Sequence, residues 1–310
     1  MKNFVIGIDV GGTNVGFGVI NPGGRIVART SLVTKSFVRH KTKLINAVAV
    51  CVKDLMRENK LDRKDCLGIG IGLPGLIDPQ KGVVKFLPNI PGWRNVPLKA
   101  ILQKQLKVPV FLENDVNMIT LGEWKFGAGQ GFKNIICITL GTGVGAGLIL
   151  DDALYRGEGY VAGEIGHMPL NEVGPRCSCG GQGCFERYVG NALLEQEARK
   201  VFKRKDMRLE EVSALAAKGD KRALRFWKQT GERVGNGLVG PVNLLNPTHI
   251  VVGGGVSKSH RFLFPSIRST IKARAMSVQG KMVKIVRAKL GNDAGIVGAK
   301  VLVEQVRQGT

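Results

Sequence analysis

Acidic side chains are scarce in this sequence, with 24 Asp and Glu against 46 Lys and Arg, and long apolar runs are absent. No stretch reaches the roughly 18 consecutive apolar residues of a membrane span, so no membrane partner is expected. The first apolar segment starts within a few residues of Met1. A secretory leader finds no room there, and a cytoplasmic location is expected. That setting disfavours disulfides among the six cysteines. The net charge of +22 forms no basic arm and no run interleaved with aromatics. Lys and Arg recur instead in amphipathic segments such as "EQEARKVFKRKD" (residues 195–206), which reads as a solvated basic face rather than a specific nucleic-acid surface. Low-complexity linkers are missing too. With 310 residues and 44% apolar content the chain can bury two cores, and without a tether two lobes would share a cleft.

What is present alternates. Strand-length apolar runs, "FVIGIDV", "FGVINP", "CLGIGIGLPG", "VPVFLEND", "NIICITLG", "AGLILDD", "HIVVGGGV" and "MVKIVRAKL", are separated by tight turns or by helix-period stretches. This predicts an α/β fold, with helices near 41–58, 96–106, 116–126, 192–203, 209–218, 221–245, 260–275 and 293–306 and a kink in the long one, which contains Gly and Pro.

One unit occurs twice. "IGIDVGGTNVGFGVI" (6–20) and "ICITLGTGVGAGLIL" (136–150) both run strand, small-residue turn, strand. Glycine lets a ligand approach the backbone, and successive N–H groups make a concave anion site. Two such turns facing each other would hold a polyphosphate from both sides. The first turn places Asp9, Gly11, Gly12, Thr13 and Asn14 together, and a carboxylate at a strand end can hold hydrated Mg²⁺ beside phosphates. The second offers Thr142 and Gly143. A third glycine cluster, Gly253, Gly254 and Gly255 in "VVGGGVSKS", has neither the dinucleotide spacing nor the P-loop ending; it reads as a flat strip for a base or ribose.

"FLENDVNMITLGEW" (111–124) puts Asn114 and Asp115 where a strand stops and a helix begins. Asp115 reads either as a helix N-cap or as a general base. Downstream, His167, Cys177, Cys179 and Cys184 supply a Cys₃His set in a short Gly- and Pro-rich stretch, suited to tetrahedral, structural Zn²⁺. The metal would cross-link a loop with little apolar content. His167 would keep one ring nitrogen for a ligand. With Glu164, Glu186, Asn114 and Asp115 it would form a polar cup for a polyhydroxylated molecule, its rim closed by the loops of Gly75 and Asn89.

On these motifs the sequence resembles the ROK family of sugar kinases, within it the glucokinase-like branch. "DVGGTN" and "LGTGVGAG" resemble its phosphate motifs, "GIGLPGLID" and "LPNIPGW" its sugar-side loops, and "LENDVN" its catalytic Asn-Asp. "GEIGH" with "CSCGGQGCFE" resembles its zinc signature, and "VVGGGV" its adenosine strip. The resemblance spans the whole chain. It implies a duplicated actin-like, ribonuclease-H-like fold: a small lobe over 1–117 completed by a C-terminal helix near 294–310, and a large lobe over 118–293 with the zinc loop at 164–186.

It further implies ATP-dependent phosphorylation of a hexose, with glucose the expected acceptor, Mg²⁺ as cofactor and a homodimer as assembly. Asp115 would be the base. Gly75, Asn89, Asn114, Glu164, His167 and Glu186 would contact the sugar, and Gly11, Gly12, Thr13, Thr142 and Gly143 the phosphates. The same cup would suit N-acetylmannosamine, N-acetylglucosamine, fructose or allose. Val116, and "ERYVGN" at 186–191, depart from the usual pattern near the sugar and nucleotide. A sugar-responsive repressor is the reading from another class; such proteins carry a helix-turn-helix ahead of the first phosphate motif, where this sequence has "MKNFV".

Overall fold

The regular alternation Cys66-Leu-Gly-Ile-Gly-Ile-Gly-Leu73 shows how this chain builds its layers, because side chains in a strand point to opposite faces in turn. In the computed structural model, which describes residues 1–33, 40–88 and 92–309, Ile69, Ile71 and Leu73 enter an apolar core. Gly68, Gly70 and Gly72 make the other face flat. Against that face lie Val303, Ala299 and Met118.

The described residues form two units, Met1–Gly131 with Leu154–Ala162 and Leu290–Thr310, and Phe132–Ala153 with Gly163–Lys289. The first unit begins with strands β1 (Phe4–Val10), β2 (Asn14–Ile20) and β3 (Ile26–Val33), then helix α1 (Lys41–Glu58) and strand β4 (Cys66–Leu73). A small sheet follows, β5 (Leu76–Asp78), β6 (Val83–Phe86) and β7 (Arg94–Val96), before α2 (Leu98–Leu106), β8 (Val110–Asn114) and α3 (Asp115–Phe126). The second unit carries β9 (Ile135–Leu140) and β10 (Val144–Leu150), and β11 (Ala153–Tyr155) returns the chain to the first. Then come α4 (Glu186–Val189), α5 (Asn191–Phe202), α6 (Leu209–Ala217), α7 (Lys221–Leu245), β12 (His249–Gly253), α8 (His260–Arg274), α9 (Ser277–Met282) and β13 (Lys284–Arg287). Helix α10 (Ala294–Gln308) completes the first unit.

The two large sheets repeat one topology. Their orders are β3-β2-β1-β4-β8 and β11-β10-β9-β12-β13. In each, an antiparallel hairpin (β1–β2, β9–β10) is followed by two parallel strands (β4 and β8, β12 and β13). The repeated turn in the sequence is thus the visible part of a repeated sheet, and the α/β class stands.

Packing in each unit depends on small residues. A side chain at Gly7 of β1 would overlap the carbonyl of Ile296 in α10, and one at Gly298 of α10 the carbonyl of Met118 in α3. Because α3 lies along α10, it belongs to the first unit, and the division falls after Gly131 rather than after residue 117. In the second unit Gly231 and Gly235 of α7 leave room for Leu263, Ser266 and Thr270 of α8. Helix α7 runs without a break through Pro241. Among the described residues no helix is long and apolar enough to cross a membrane.

All eight expected helices begin and end within two residues of their observed bounds. The start of α2 moves from 96 to Leu98, with Pro97 at its N-cap. Strand β3 and the short elements β5, β6, β7, β11, α4 and α9 were not expected.

Gly70 generates a discriminating prediction. Strand propensity favours valine over glycine, yet a Cβ at Gly70 would lie 2.7 Å from Ala299 Cβ and 2.9 Å from its Cα. Overpacking of this kind typically costs about 1–3 kcal/mol. Gly70→Val is expected to lower the urea midpoint, and a rise would contradict this account of the sheet–helix contact.

Candidate functional site

In β1 the alternation sends Phe4, Ile6, Ile8 and Val10 into the core and leaves Gly7 and Asp9 on the α10 face. The Asp9 carboxylate lies against the first turn of α10, where a Cβ on Gly295 would stand 3.1 Å from Oδ2. Beyond it the chain turns: the Gly11 N–H donates to the Asn14 carbonyl at 2.9 Å. Among the described residues no acceptor meets the N–H groups of exposed Gly12 and Thr13, so this turn presents donors outward, as an anion site requires. Burial, and secondarily the charge of Asp115, push the Asp9 carboxyl up from 3.8 to about 6.

Asp115 comes from the other end of the same sheet edge, at the junction of β8 and α3. Both readings of this junction hold, divided between neighbours. Asn114 is the N-cap, its Oδ1 accepting from Val116 N (2.9 Å) and Asn117 N (3.2 Å). Asp115 opens the helix, and its Oδ1 also accepts from Val116 N (2.9 Å). The Asn114 amide donates to the carbonyl of Gly75 at 3.3 Å. Gly75 has φ +96°, and a side chain there would overlap the Phe86 carbonyl, so the turn that aims this carbonyl needs glycine. Asn89 lies outside the described residues.

Sequence reasoning gave no role to Glu113 and Arg156. Glu113 is 2% exposed. Its Oε1 accepts from Asn114 N (2.9 Å) and Asn117 Nδ2 (3.0 Å), and its Oε2 from Arg156 Nε (2.6 Å). A carboxylate in an otherwise apolar strand was the available signal; its partner, 43 positions away, was not legible.

The second unit holds the other turn. Gly141 N donates to the Gly143 carbonyl (3.0 Å), and the Gly141 carbonyl accepts from Asn191 N (2.8 Å) at the start of α5. Thr142 is exposed. Glu186, expected to face the sugar, accepts through Oε2 from Val144 N at 3.1 Å and thereby fastens the turn to α4. Gly253 ends β12 beside Thr139. Gly254, at φ +81°, is pressed on the Leu140 backbone, and Gly255 stands near the Asn191 amide. Turn and glycine strip therefore adjoin within one unit.

His167, Cys177, Cys179 and Cys184 gather with their ligand atoms all within 4.8 Å of one another. Cys177 Sγ is 3.8 Å from His167 Nδ1, and Cys179 Sγ is 3.6 Å from Cys184 Sγ. Tetrahedral zinc with ~2.3 Å bonds to sulfur has edges of about 3.8 Å, so the donor set fits that ion. The Nε2 of His167 faces Glu164 Oε2 at 3.8 Å. With Nδ1 directed to the cysteine cluster, Nε2 is the nitrogen left to carry a proton outward.

Asp9 yields a test of sign. A carboxyl held at about 6 binds its proton more tightly folded than unfolded, so its stabilising effect is complete below about pH 4 and is lost as pH rises through 6. In metal-free buffer Asp9→Asn is expected to be more stable than wild type at pH 7.5, by on the order of 1–3 kcal/mol, with the difference gone at pH 4. Equal urea midpoints at pH 7.5 would contradict the burial of an ionised Asp9.

The family model described as "ROK family" matches residues 5–306. The chain is 32% identical to a protein named glucokinase from Thermotoga maritima, over 97% of each chain. It is 35% identical to the xylose repressor of Bacillus subtilis, over 76% of this chain and 61% of that one. Its fold superposes with a TM-score of 0.81 on a ROK family glucokinase from Streptomyces griseus, solved with glucose and AMPPNP, at 32% identity over 97% of this chain and 99% of that one. Matched by the family model over nearly its whole length, and similar to a full-length relative at 32% identity, the chain belongs to the ROK family.

Proposed function

We propose that the protein is an ATP-dependent glucokinase, transferring the γ-phosphoryl group of ATP to the 6-hydroxyl of glucose. One observation carries this reading. Asp9 lies one residue short of the end of β1 and Asp115 directly follows β8, two strands of one sheet that run parallel to the β4 between them, and Asp9 is next to a turn with outward N–H groups. Phosphoryl transfer needs little more than an aligned acceptor, a group to take its proton and neutralisation of phosphate charge. The similarity to proteins named glucokinase supports glucose as the acceptor.

In this mechanism Asp115 takes the proton of the 6-hydroxyl, the sugar oxygen forms its bond to the γ-phosphorus, and the bond from that phosphorus to the bridging oxygen breaks to release ADP. Asn114, occupied through Oδ1 as the cap of α3, orients the junction and offers its amide beside the Gly75 carbonyl. The Gly12, Thr13, Thr142 and Gly143 N–H groups receive phosphate oxygens, and Gly253–Gly255 lie under the adenosine. Asp9 would hold Mg²⁺, which when bound neutralises phosphate charge. His167 Nε2 and Glu164 address sugar hydroxyls, as does Glu186 through its other oxygen, Oε1. Zn²⁺ on the Cys₃His set is structural, the chain acts in the cytoplasm, and two copies associate.

The similarity to a xylose repressor favours one other reading, sugar sensing without transfer. Loss of a general base typically costs about 10²- to 10⁴-fold in rate, so Asp115→Ala is expected to lower kcat by that factor with ATP still bound. A mutant of wild-type kcat would remove Asp115 from the role. Elemental analysis is expected to find one zinc per chain and light scattering a dimer; a metal-free protein of undiminished thermal stability would refute the structural zinc, and a monomer the assembly.

A further inference from the structure

Glu113 is a buried carboxylate that the proposed reaction does not use, one residue ahead of Asn114 and two ahead of Asp115. Each of its contacts bears on the junction those residues form. Oε1 fixes the Asn114 N–H at 2.9 Å and the Asn117 side chain at 3.0 Å, across the first turn of α3. Asn117 is itself 3% exposed. Oε2 is held by Arg156 Nε at 2.6 Å, the one cation in ion-pairing distance of this carboxylate among the described residues.

Arg156 lies in the segment Leu154–Ala162, which packs with the first unit although the chain enters it from β10 and leaves it toward Glu164 and His167. Its carbonyl accepts from Ala162 N at 3.0 Å, closing the segment into a loop. The same arginine thus holds a loop and, through Glu113, the strand end that presents the base. A guanidinium does this better than an ammonium, because its planar donors fix direction as well as charge.

We propose that Arg156 and Glu113 are a positioning pair: through Glu113 the arginine sets the backbone of Asn114 and Asp115, and with it the placement of the base against the acceptor hydroxyl. This rests on the kinase reading. A small misplacement of a reacting group is enough to cost about 10²-fold in rate, whereas the phosphate turns are untouched by the pair.

The test measures sugar-dependent ADP release by wild type, Arg156→Gln, Arg156→Lys and the double variant Glu113→Gln with Arg156→Gln, with a thermal melt of each. Arg156→Gln leaves a buried carboxylate unpaired and is expected to lose both stability and 10- to 100-fold in kcat. Arg156→Lys should recover part of that kcat, and the KM for ATP should stay within about threefold throughout. The double variant removes both charges and is expected to melt near wild type, yet to keep kcat at least tenfold down. This comparison decides even if Arg156→Gln does not fold. A double variant with wild-type kcat, or losses confined to the KM for ATP, would overturn the positioning role. Absence of ADP release from wild type itself would instead be a failure of the kinase reading.

Discussion

The burial of the Asp9 carboxylate, with the charge of Asp115 adding to its effect, is the constraint on which the rest depends. Two carboxylates are brought to one edge of a sheet, and burial together with the charge of Asp115 lifts Asp9 to about 6. A fold selected for stability alone would place an amide at Asp9. The carboxylate makes sense beside a ligand that brings positive charge to negatively charged phosphates, and the neighbouring turn offers N–H groups for those phosphates. Burying an ionisable group in this way costs stability in the free protein, a common relation between activity and stability.

Holding such charges in register requires a stiff frame, and glycine supplies it. The flat faces of β1 and β4 let α10 press on the sheet, and Gly298 lets α3 press on α10. Helix α3, the strand of Asp9 and helix α10 are therefore packed into one body. Around the junction itself the side chains hold one another: Asn114 caps, Asp115 accepts from the helix, and Glu113 is held by Arg156. In the second unit Glu186 plays a comparable part, fixing a turn N–H while its other oxygen lies 3.9 Å from Cys177. The cysteine cluster and the second turn are consequently joined through one side chain.

Much of this was legible in the sequence because local spacing carried it. The repeated hairpin announced itself through the same glycine positions, and the two sheets repeat accordingly. The three cysteines and His167 read as one donor set, and the chain folds them to within 4.8 Å. Strands β5 to β7 were too short for a period to show, and β3, an edge strand with alternating exposure, had too many polar positions to stand out as an apolar run. The Glu113–Arg156 pair and the raised Asp9 carboxyl were illegible for another reason: each arises from residues far apart in sequence and from burial, which no motif encodes.

Phosphorus NMR of a reaction containing Mg-ATP and equal amounts of glucose, N-acetylmannosamine, N-acetylglucosamine, fructose and allose addresses the central claim most directly. The account predicts one sugar phosphate, glucose 6-phosphate, formed in step with ADP. Binding of glucose and ATP with no sugar phosphate formed would contradict it, and a phosphate on another of these sugars would contradict the assignment of glucose.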